Sequence, residues 1–339
     1  MQMTVLFRVF YDTRNWMGII CTLNDPSKYE TIPTLNRVQL ILDSLSFSQV
    51  GQLDYEITFQ LLKYLKHEEE YLPWFAALSG WKKIDDLLKR TPKHEVFQNN
   101  MRDMLSCVYS KFRNMDEKVN GYENIQLQSL VISRACEYQT KDCIQRVLDI
   151  FRKWMKSIDP DNNNILPKEL KDTICIQAIR YGGEEEWNFL WERYQCSNLQ
   201  LEKDNMIFAL GCTPIESLLL RYLNWSLDES IIPREYASAV FSSVTLNEAG
   251  FLVAKEFLYC KIADIYEYYQ RQGDSLITYV YYIAYQMKTK EELEEFQSFI
   301  TKSSSYFKES DIDINDITAT ITGNIEWTSK FYNRIVQNE

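Results

Sequence analysis

Two histidines, each followed by a glutamate, are the residues in this sequence whose types could support metal chemistry. The His-Glu-x-x-His motif of zinc peptidases needs a second imidazole four residues after the first, and a third ligand elsewhere. The residues at that spacing are Tyr71 after His67 and Gln98 after His94. We therefore interpret both histidines as surface residues in charged helix ends, and we expect no metal or other cofactor in this chain.

The other common catalytic and binding motifs do not occur either. Residues 159–170 begin like a calcium loop, but the positions that need Gly and Glu are Asn164 and Leu170. The sequence contains no G-x-S-x-G, Walker or dinucleotide-binding glycine pattern. We expect no enzymatic activity from this chain alone.

Composition narrows the class of protein further. A net charge of −11 argues against nucleic acid as a partner, because phosphate binding needs a basic face. No run approaches the ~20 apolar residues of a membrane span. With only 10 Gly and 8 Pro in 339 residues, the chain has few of the turns that a β-sandwich or barrel needs.

The apolar spacing is helical almost throughout, after one short strand or extended arm at residues 5–11. Helix N-caps are predicted at Thr34, Asp54, Thr140, Thr213 and Thr289. Helices of about 12–18 residues recur in pairs about every 35–45 residues. This rhythm predicts an all-α fold, a HEAT/armadillo-like α-solenoid, with a first segment at 1–33, a helical half at 34–158 and a second at 159–339.

Eight cysteines leave the cellular compartment open, since no C-x-x-C spacing is present. Cys136 and Cys143 flank a predicted turn, and a bond there would stabilise the fold by about 2.5 kcal/mol in the chain-entropy model. Cys175 and Cys212 could tie two helices, at about 4 kcal/mol. Spacing alone does not decide between these bonds and buried thiols.

The segment between Cys175 and Cys212 carries the most specific pattern. Its residues 181–194 read YGGEEEWNFLWERY, and ALGC closes the segment. Trp187, Leu190, Trp191 and Tyr194 have the spacing of one helical face, and the three glutamates lie in the first turn, where negative charge is favoured.

This segment resembles the C-terminal domain of gluzincin-type zinc aminopeptidases, the aminopeptidase N family. Further similar segments occur in the same order along nearly the whole chain: FRVFYD with NW at 7–16, LNRVQLILD at 35–43, EYLPW at 70–74, NWSL at 224–227 and SAVFSSV at 238–244. Phe10 departs from the family's usual Asn. The resemblance implies a helical bowl that closes over a zinc-containing catalytic domain, limits access to its active site and selects peptide length.

The resemblance also implies disulfides Cys136–Cys143 and Cys175–Cys212, which leaves Cys21, Cys107, Cys196 and Cys260 unpaired. It implies an extracellular or luminal location and allows a homodimer, with peptides as substrates of the parent enzyme. Arg8, Asp12 and Arg37 are candidates for contacts with the catalytic domain, because charges in apolar stretches need partners; local ion pairing is the alternative. Asn224, in the sequon Asn-Trp-Ser, is a candidate N-glycosylation site.

A second hypothesis from another class stays open. The chain could be an independent helical-solenoid interaction protein that kept the fold and lost the enzyme. A native start at Met1 without a signal peptide and eight reduced cysteines would favour it, whereas four thiols would favour the aminopeptidase domain.

Overall fold

The computed structural model describes residues 8–161, 165–270, 273–307 and 314–335. Within these ranges the regular structure consists of α-helices and short 3-10 helices, without a β-strand. The α-helices are α1 Thr13–Leu23, α2 Thr34–Gln49, α3 Tyr55–Leu62, α4 Tyr71–Leu88, α5 His94–Phe112, α6 Tyr122–Glu137, α7 Lys141–Met155, α8 Lys171–Tyr181, α9 Glu184–Cys196, α10 Gln200–Leu210, α11 Glu216–Trp225, α12 Ala237–Leu246, α13 Gly250–Tyr268, α14 Gly273–Gln286, α15 Lys290–Lys302 and α16 Ile314–Ile335.

The predicted all-α class is confirmed, and the part of the predicted N-terminal strand or extended arm that the structure describes does not form a strand. Residues 8–11 have no regular structure, and residues 5–7 of that prediction lie outside the described residues. No helix in the described ranges combines the length and apolar character needed to cross a membrane.

The chain forms two compact units. The first comprises Met1–Thr140 and Phe331–Glu339, and the second comprises Lys141–Lys330. In the first unit α2 packs against α3 and α4, α4 packs against α6, and α5 packs against α6. The predicted division of the helical region after residue 158 stays a prediction.

The second unit shows the solenoid pattern most clearly. Four of its helices form a continuous row, in which α8 packs on α10, α10 on α12 and α12 on α14. Other helices pack beside this row: α9 lies against α8 and α10, and α13 lies against α12 and α14. Each helix thus buries its apolar face against its near neighbours in sequence, which is the packing of an α-solenoid.

The helix starts test four of the five predicted caps, and the cap at Thr140 stays a prediction. The Oδ1 atom of Asp54 accepts the backbone N–H of Glu56 at 3.0 Å, so the cap of α3 is confirmed. Thr289 forms the predicted capping box of α15 with Glu292. The cap of α2 is Pro33, one residue before the predicted Thr34.

The predicted cap at Thr213 is wrong, and a tertiary contact explains why. Helix α11 begins at Glu216 and its N-cap residue is Ile215. The side chain of Asn247 donates hydrogen bonds to the carbonyl oxygens of Gly211 and Thr213, at 3.1 and 2.6 Å. These bonds hold residues 211–213 in a non-helical connection, so the local capping signal is overridden.

Gly211 ends α10 where that helix meets α12, and we predict that Gly211→Ala destabilises the second unit by about 1–3 kcal/mol through overpacking. A Cβ atom there would lie 2.0 Å from the Oγ atom of Ser243 and 2.9 Å from its backbone carbonyl carbon, so α10 and α12 would have to separate. Urea unfolding followed by circular dichroism measures the loss.

Gly18→Ala, within α1, is the matched control for Gly211→Ala. A Cβ atom at Gly18 meets nothing within 4 Å, and Ala is favoured over Gly inside a helix by about 0.5–1 kcal/mol. Equal stability changes at the two positions would contradict the close approach of α10 and α12.

Candidate interaction site

A buried ion pair in the first unit joins α2 to the segment that precedes α4. Arg37 on α2 is 3% exposed, and Glu68, which directly follows the 3-10 helix Lys63–His67, is 2% exposed. The Nε and Nη2 atoms of Arg37 donate to the two carboxylate oxygens of Glu68 at 2.7 and 3.0 Å. The Nη1 atom donates to the carbonyl oxygen of Ile32 at 2.8 Å. This bidentate geometry is the strong form of a charge-assisted pair.

Glu68 also holds the start of α4. Its Oε1 atom accepts the backbone N–H groups of Glu69 and Glu70 at 3.1 and 3.0 Å. Its carbonyl oxygen accepts the indole N–H of Trp74 at 3.1 Å. Glu68 therefore fixes both the guanidinium of Arg37 and the first turn of α4.

Two tyrosines complete the surroundings of this pair. The guanidinium carbon of Arg37 lies 5.2 Å from the ring centroid of Tyr29. Burial, together with its hydrogen bond to Glu30, raises the pKa of Tyr29 to about 12. Burial and the negative charge of Glu68 raise the pKa of Tyr64. Burial disfavours the charged form of Arg37 and lowers its pKa. The hydrogen bonds and negative charge of Glu68 favour the charged form more strongly, so the pKa of Arg37 is raised overall. Both tyrosines stay neutral near pH 7.

A cleft of about 370 Å³ opens beside the ion pair. We call it the charged cleft; its lining residues include Glu30, Lys66, His67, Glu68, Glu69 and Lys111. Lys111 forms an ion pair with Glu69 across it. Charged groups of both signs suit the cleft to polar contacts.

No described part of the chain offers a metal centre. Among the residues that the structure describes, no three His, Cys, Asp or Glu side chains are grouped to hold a metal ion. The charged cleft contains a histidine and glutamates, but their arrangement does not form such a group.

The helix α9 has the apolar face that its sequence predicted. Trp187, Leu190, Trp191 and Tyr194 are all buried. At the start of the helix, Glu186 accepts the backbone N–H of Gly183 at 2.8 Å through one carboxylate oxygen and pairs with Arg152 at 2.7 Å through the other.

A hydrogen bond of Trp187 joins helix α9 to helix α10. The indole N–H of Trp187 donates to the carbonyl oxygen of Leu210, the last residue of α10, at 2.9 Å. The rings of Trp191 and Trp225 lie 4.9 Å apart between centroids. The segment that carried the resemblance is thus a packing element of the second unit.

The sequence matches the family described as "ERAP1-like C-terminal domain" over residues 1–321. The chain belongs to this family.

Several mammalian peptidases are similar to this family member. Bovine (Bos taurus) aminopeptidase N is 30% identical over 302 residues, which cover 88% of this chain and 31% of the relative. Human (Homo sapiens) aminopeptidase N is 27% identical over 306 residues, with the same coverage of 88% and 31%. The thyrotropin-releasing hormone-degrading ectoenzyme of Rattus norvegicus is 27% identical over 343 residues, covering 98% and 31%. The chain thus spans about a third of these relatives' length.

In this ERAP1-like domain the cysteines are in two states. Cys136 and Cys143 are joined in a disulfide. Cys175 and Cys212 are buried thiols, and burial raises the pKa of Cys175 to about 12. The Sγ atom of Cys212 lies 3.5 Å from the carbonyl oxygen of Phe208. The bond between Cys175 and Cys212 stays a prediction.

The three residues proposed for contacts with another domain have different surroundings. Arg37 has the local ion pair that the alternative interpretation supposed. Asp12 caps α1, since its Oδ1 atom accepts the backbone N–H of Asn15 at 2.8 Å. The Arg8 side chain is 63% exposed, and its Nε atom lies 4.0 Å from the buried carboxylate of Asp43. An interdomain contact of Arg8, Asp12 or Arg37 stays a prediction.

One histidine contradicts the interpretation of both as surface residues. His67 is exposed, but His94 is buried, with its Nε2 atom 2.9 Å from the Oδ1 atom of Asp85. The carboxylate of Asp85 makes this burial tolerable because it provides the imidazole with a hydrogen-bond partner.

Glu68 is the site residue that the sequence interpretation missed. The signal was indirect: Arg37 is a charged residue next to apolar residues of α2 and therefore needed a partner. That partner lies 31 residues further along the chain, at a distance that no local pattern covers.

Proposed function

We propose that this chain is the non-catalytic C-terminal helical domain of a longer zinc-dependent aminopeptidase, which removes N-terminal amino acids from peptides. The observation that carries the proposal is the family match over residues 1–321, combined with a sequence that lacks His-Glu-x-x-His. Relatives named aminopeptidase N, about three times as long as the matched region, support it. Zinc would then be held by a catalytic domain outside this chain.

In this proposal the domain caps the active site of the parent enzyme and shapes which peptides can enter. The charged cleft, with acidic groups at Glu30 and Glu69, is a surface where a distal part of a peptide or the catalytic domain could be held. A buried, bidentate ion pair at its base would keep such a surface rigid. The parent would act outside the cell or in a luminal compartment, with a homodimer as a further assembly.

The size of the endogenous polypeptide tests this proposal. An antibody raised against the chain should detect a band far above 40.3 kDa on an immunoblot. The isolated chain should bind no stoichiometric zinc and should not hydrolyse aminoacyl-p-nitroanilides, because it has no zinc motif. Zinc-dependent turnover by the pure chain would overturn the proposal. An endogenous band near 40.3 kDa would instead support the independent interaction protein.

Counting thiols gives a second test. We predict that protein from the native source, unfolded without reductant and alkylated with iodoacetamide, carries four labels among the eight cysteines of this chain by peptide mass spectrometry, as expected if Cys175 and Cys212 are bonded in addition to Cys136 and Cys143. Six labels would mean that Cys175 and Cys212 remain the thiols that the structure contains. Eight labels would mean a reducing compartment and would contradict the extracellular or luminal location.

A further inference from the structure

The side chain of Asn224, the first residue of the sequon, lies outside the packed core of the second unit. Asn224 is exposed near the end of α11, whereas its neighbours Tyr222 and Leu223 are fully buried. Leu220, one turn earlier on the same side of the helix, is 49% exposed. We call the exposed side of α11 at Leu220 and Asn224 the outer strip of α11. It has room for a bulky group, whereas the core of the unit has none.

We infer that Asn224 is an N-glycosylation site and that its glycan covers the outer strip of α11. The location that allows this modification rests on the proposed function. In the reaction, the side-chain nitrogen of Asn224 forms a bond with the anomeric carbon of a lipid-diphosphate-linked oligosaccharide. The bond between that carbon and the diphosphate oxygen breaks, the lipid diphosphate leaves with the electron pair, and the amide nitrogen gives up one proton to a base.

The folded structure fixes when this reaction takes place. Sequons that accept glycans in folded proteins lie in surface loops, but Asn224 belongs to a helix. Its Nδ2 atom donates to the carbonyl oxygen of Leu220 at 2.8 Å. The hydroxyl of Ser226, the third sequon residue, is fully buried and donates to the carbonyl oxygen of Leu223 at 2.8 Å. Glycan transfer therefore precedes the packing of α11.

Once the chain has folded, the glycan also restricts where partners can dock. A glycan on Asn224 projects from the outer strip of α11 and shields Leu220 from solvent. A protein surface cannot pack closely on this strip without removing the glycan.

The first experiment uses the complete chain carrying an appended secretory leader, expressed in animal cells. The leader supplies entry into the secretory pathway, so a negative result concerns the site and leaves the proposed function standing. We expect one glycan, removed by peptide N-glycosidase with conversion of Asn224 to aspartate in the peptide mass spectrum. Asn224→Gln and Ser226→Ala should each abolish it. A folded, secreted chain with unmodified Asn224 would overturn the inference.

The second experiment tests the order of events. Unglycosylated chain, folded or unfolded in urea and then diluted, is offered to solubilised oligosaccharyltransferase with a lipid-linked oligosaccharide. We expect at least a tenfold higher initial transfer rate to the unfolded chain. Equal rates would show that folded α11 is itself an acceptor and would overturn the inferred order.

Discussion

Glu68→Gln is expected to destabilise the first unit by about 3–5 kcal/mol, because it leaves the guanidinium of Arg37 buried without its counter-charge. The substitution keeps the shape of the side chain, so packing changes little. One of the two carboxylate oxygens that accept from Arg37 becomes an amide nitrogen, which cannot accept a hydrogen bond. Urea unfolding measures the loss, and hydrogen exchange of α2 and α4 locates it in this unit.

Glu69→Gln is the matched control, one residue along the chain. Glu69 pairs with Lys111, but both side chains are about half exposed or more. Exposed ion pairs contribute about 0–1 kcal/mol, so we expect almost no change. Similar losses for both variants would mean that the burial of the Arg37–Glu68 pair carries no special weight.

A double variant separates the destabilisation caused by one unpaired buried charge from the contribution that the whole ion pair makes to stability. Arg37→Met with Glu68→Leu removes both charges and keeps apolar volume. Buried pairs replaced in this way often leave stability unchanged or increase it by about 1–4 kcal/mol. We therefore expect the double variant to be more stable than Glu68→Gln alone. If it is less stable, the hydrogen bonds that the Glu68 side chain accepts from Glu69 and Glu70, just before α4, dominate.

The parts of the fold that sequence predicts well are those with local causes. The cap at Asp54 and the capping box at Thr289 depend on residues two or three positions away, and the structure contains both. The apolar face of α9 depends only on helical spacing. Thr213 shows the limit, because the Asn247 side chain, 34 residues away, decides the backbone there.

Most of the candidate site depends on contacts between residues that are far apart in the sequence, which local patterns do not predict. Arg37 was recognisable as a charge in need of a partner, but Glu68 becomes that partner only when the segment after α3 packs on α2. His94 was misinterpreted for the same reason, since the acceptor that permits its burial, Asp85, lies on the preceding helix. Charge compensation in a helical solenoid is made between helices, and periodicity within one helix does not reveal it.

Trp187→Ala is expected to cost the second unit about 3–5 kcal/mol, the usual range for removing a fully buried large aromatic side chain. Trp187 contacts several aromatic rings, among them Trp191 and Tyr222, at centroid distances of 6.1 and 5.8 Å. A cavity there would remove contacts from helices α9 and α11 together. Circular dichroism in urea is the suitable measurement, because the substitution also changes tryptophan fluorescence.

Trp187→Phe isolates the hydrogen bond from the packing. Phenylalanine keeps most of the apolar contact but cannot donate to the carbonyl oxygen of Leu210, which ends α10 and has no partner within its own helix. A buried acceptor left unsatisfied costs about 1–3 kcal/mol, so this variant should lie between the wild type and Trp187→Ala. Phe208→Ala, at a residue 39% exposed on α10, is the control and should change stability far less. If Trp187→Phe matched the wild type, the hydrogen bond to Leu210 would contribute nothing to stability.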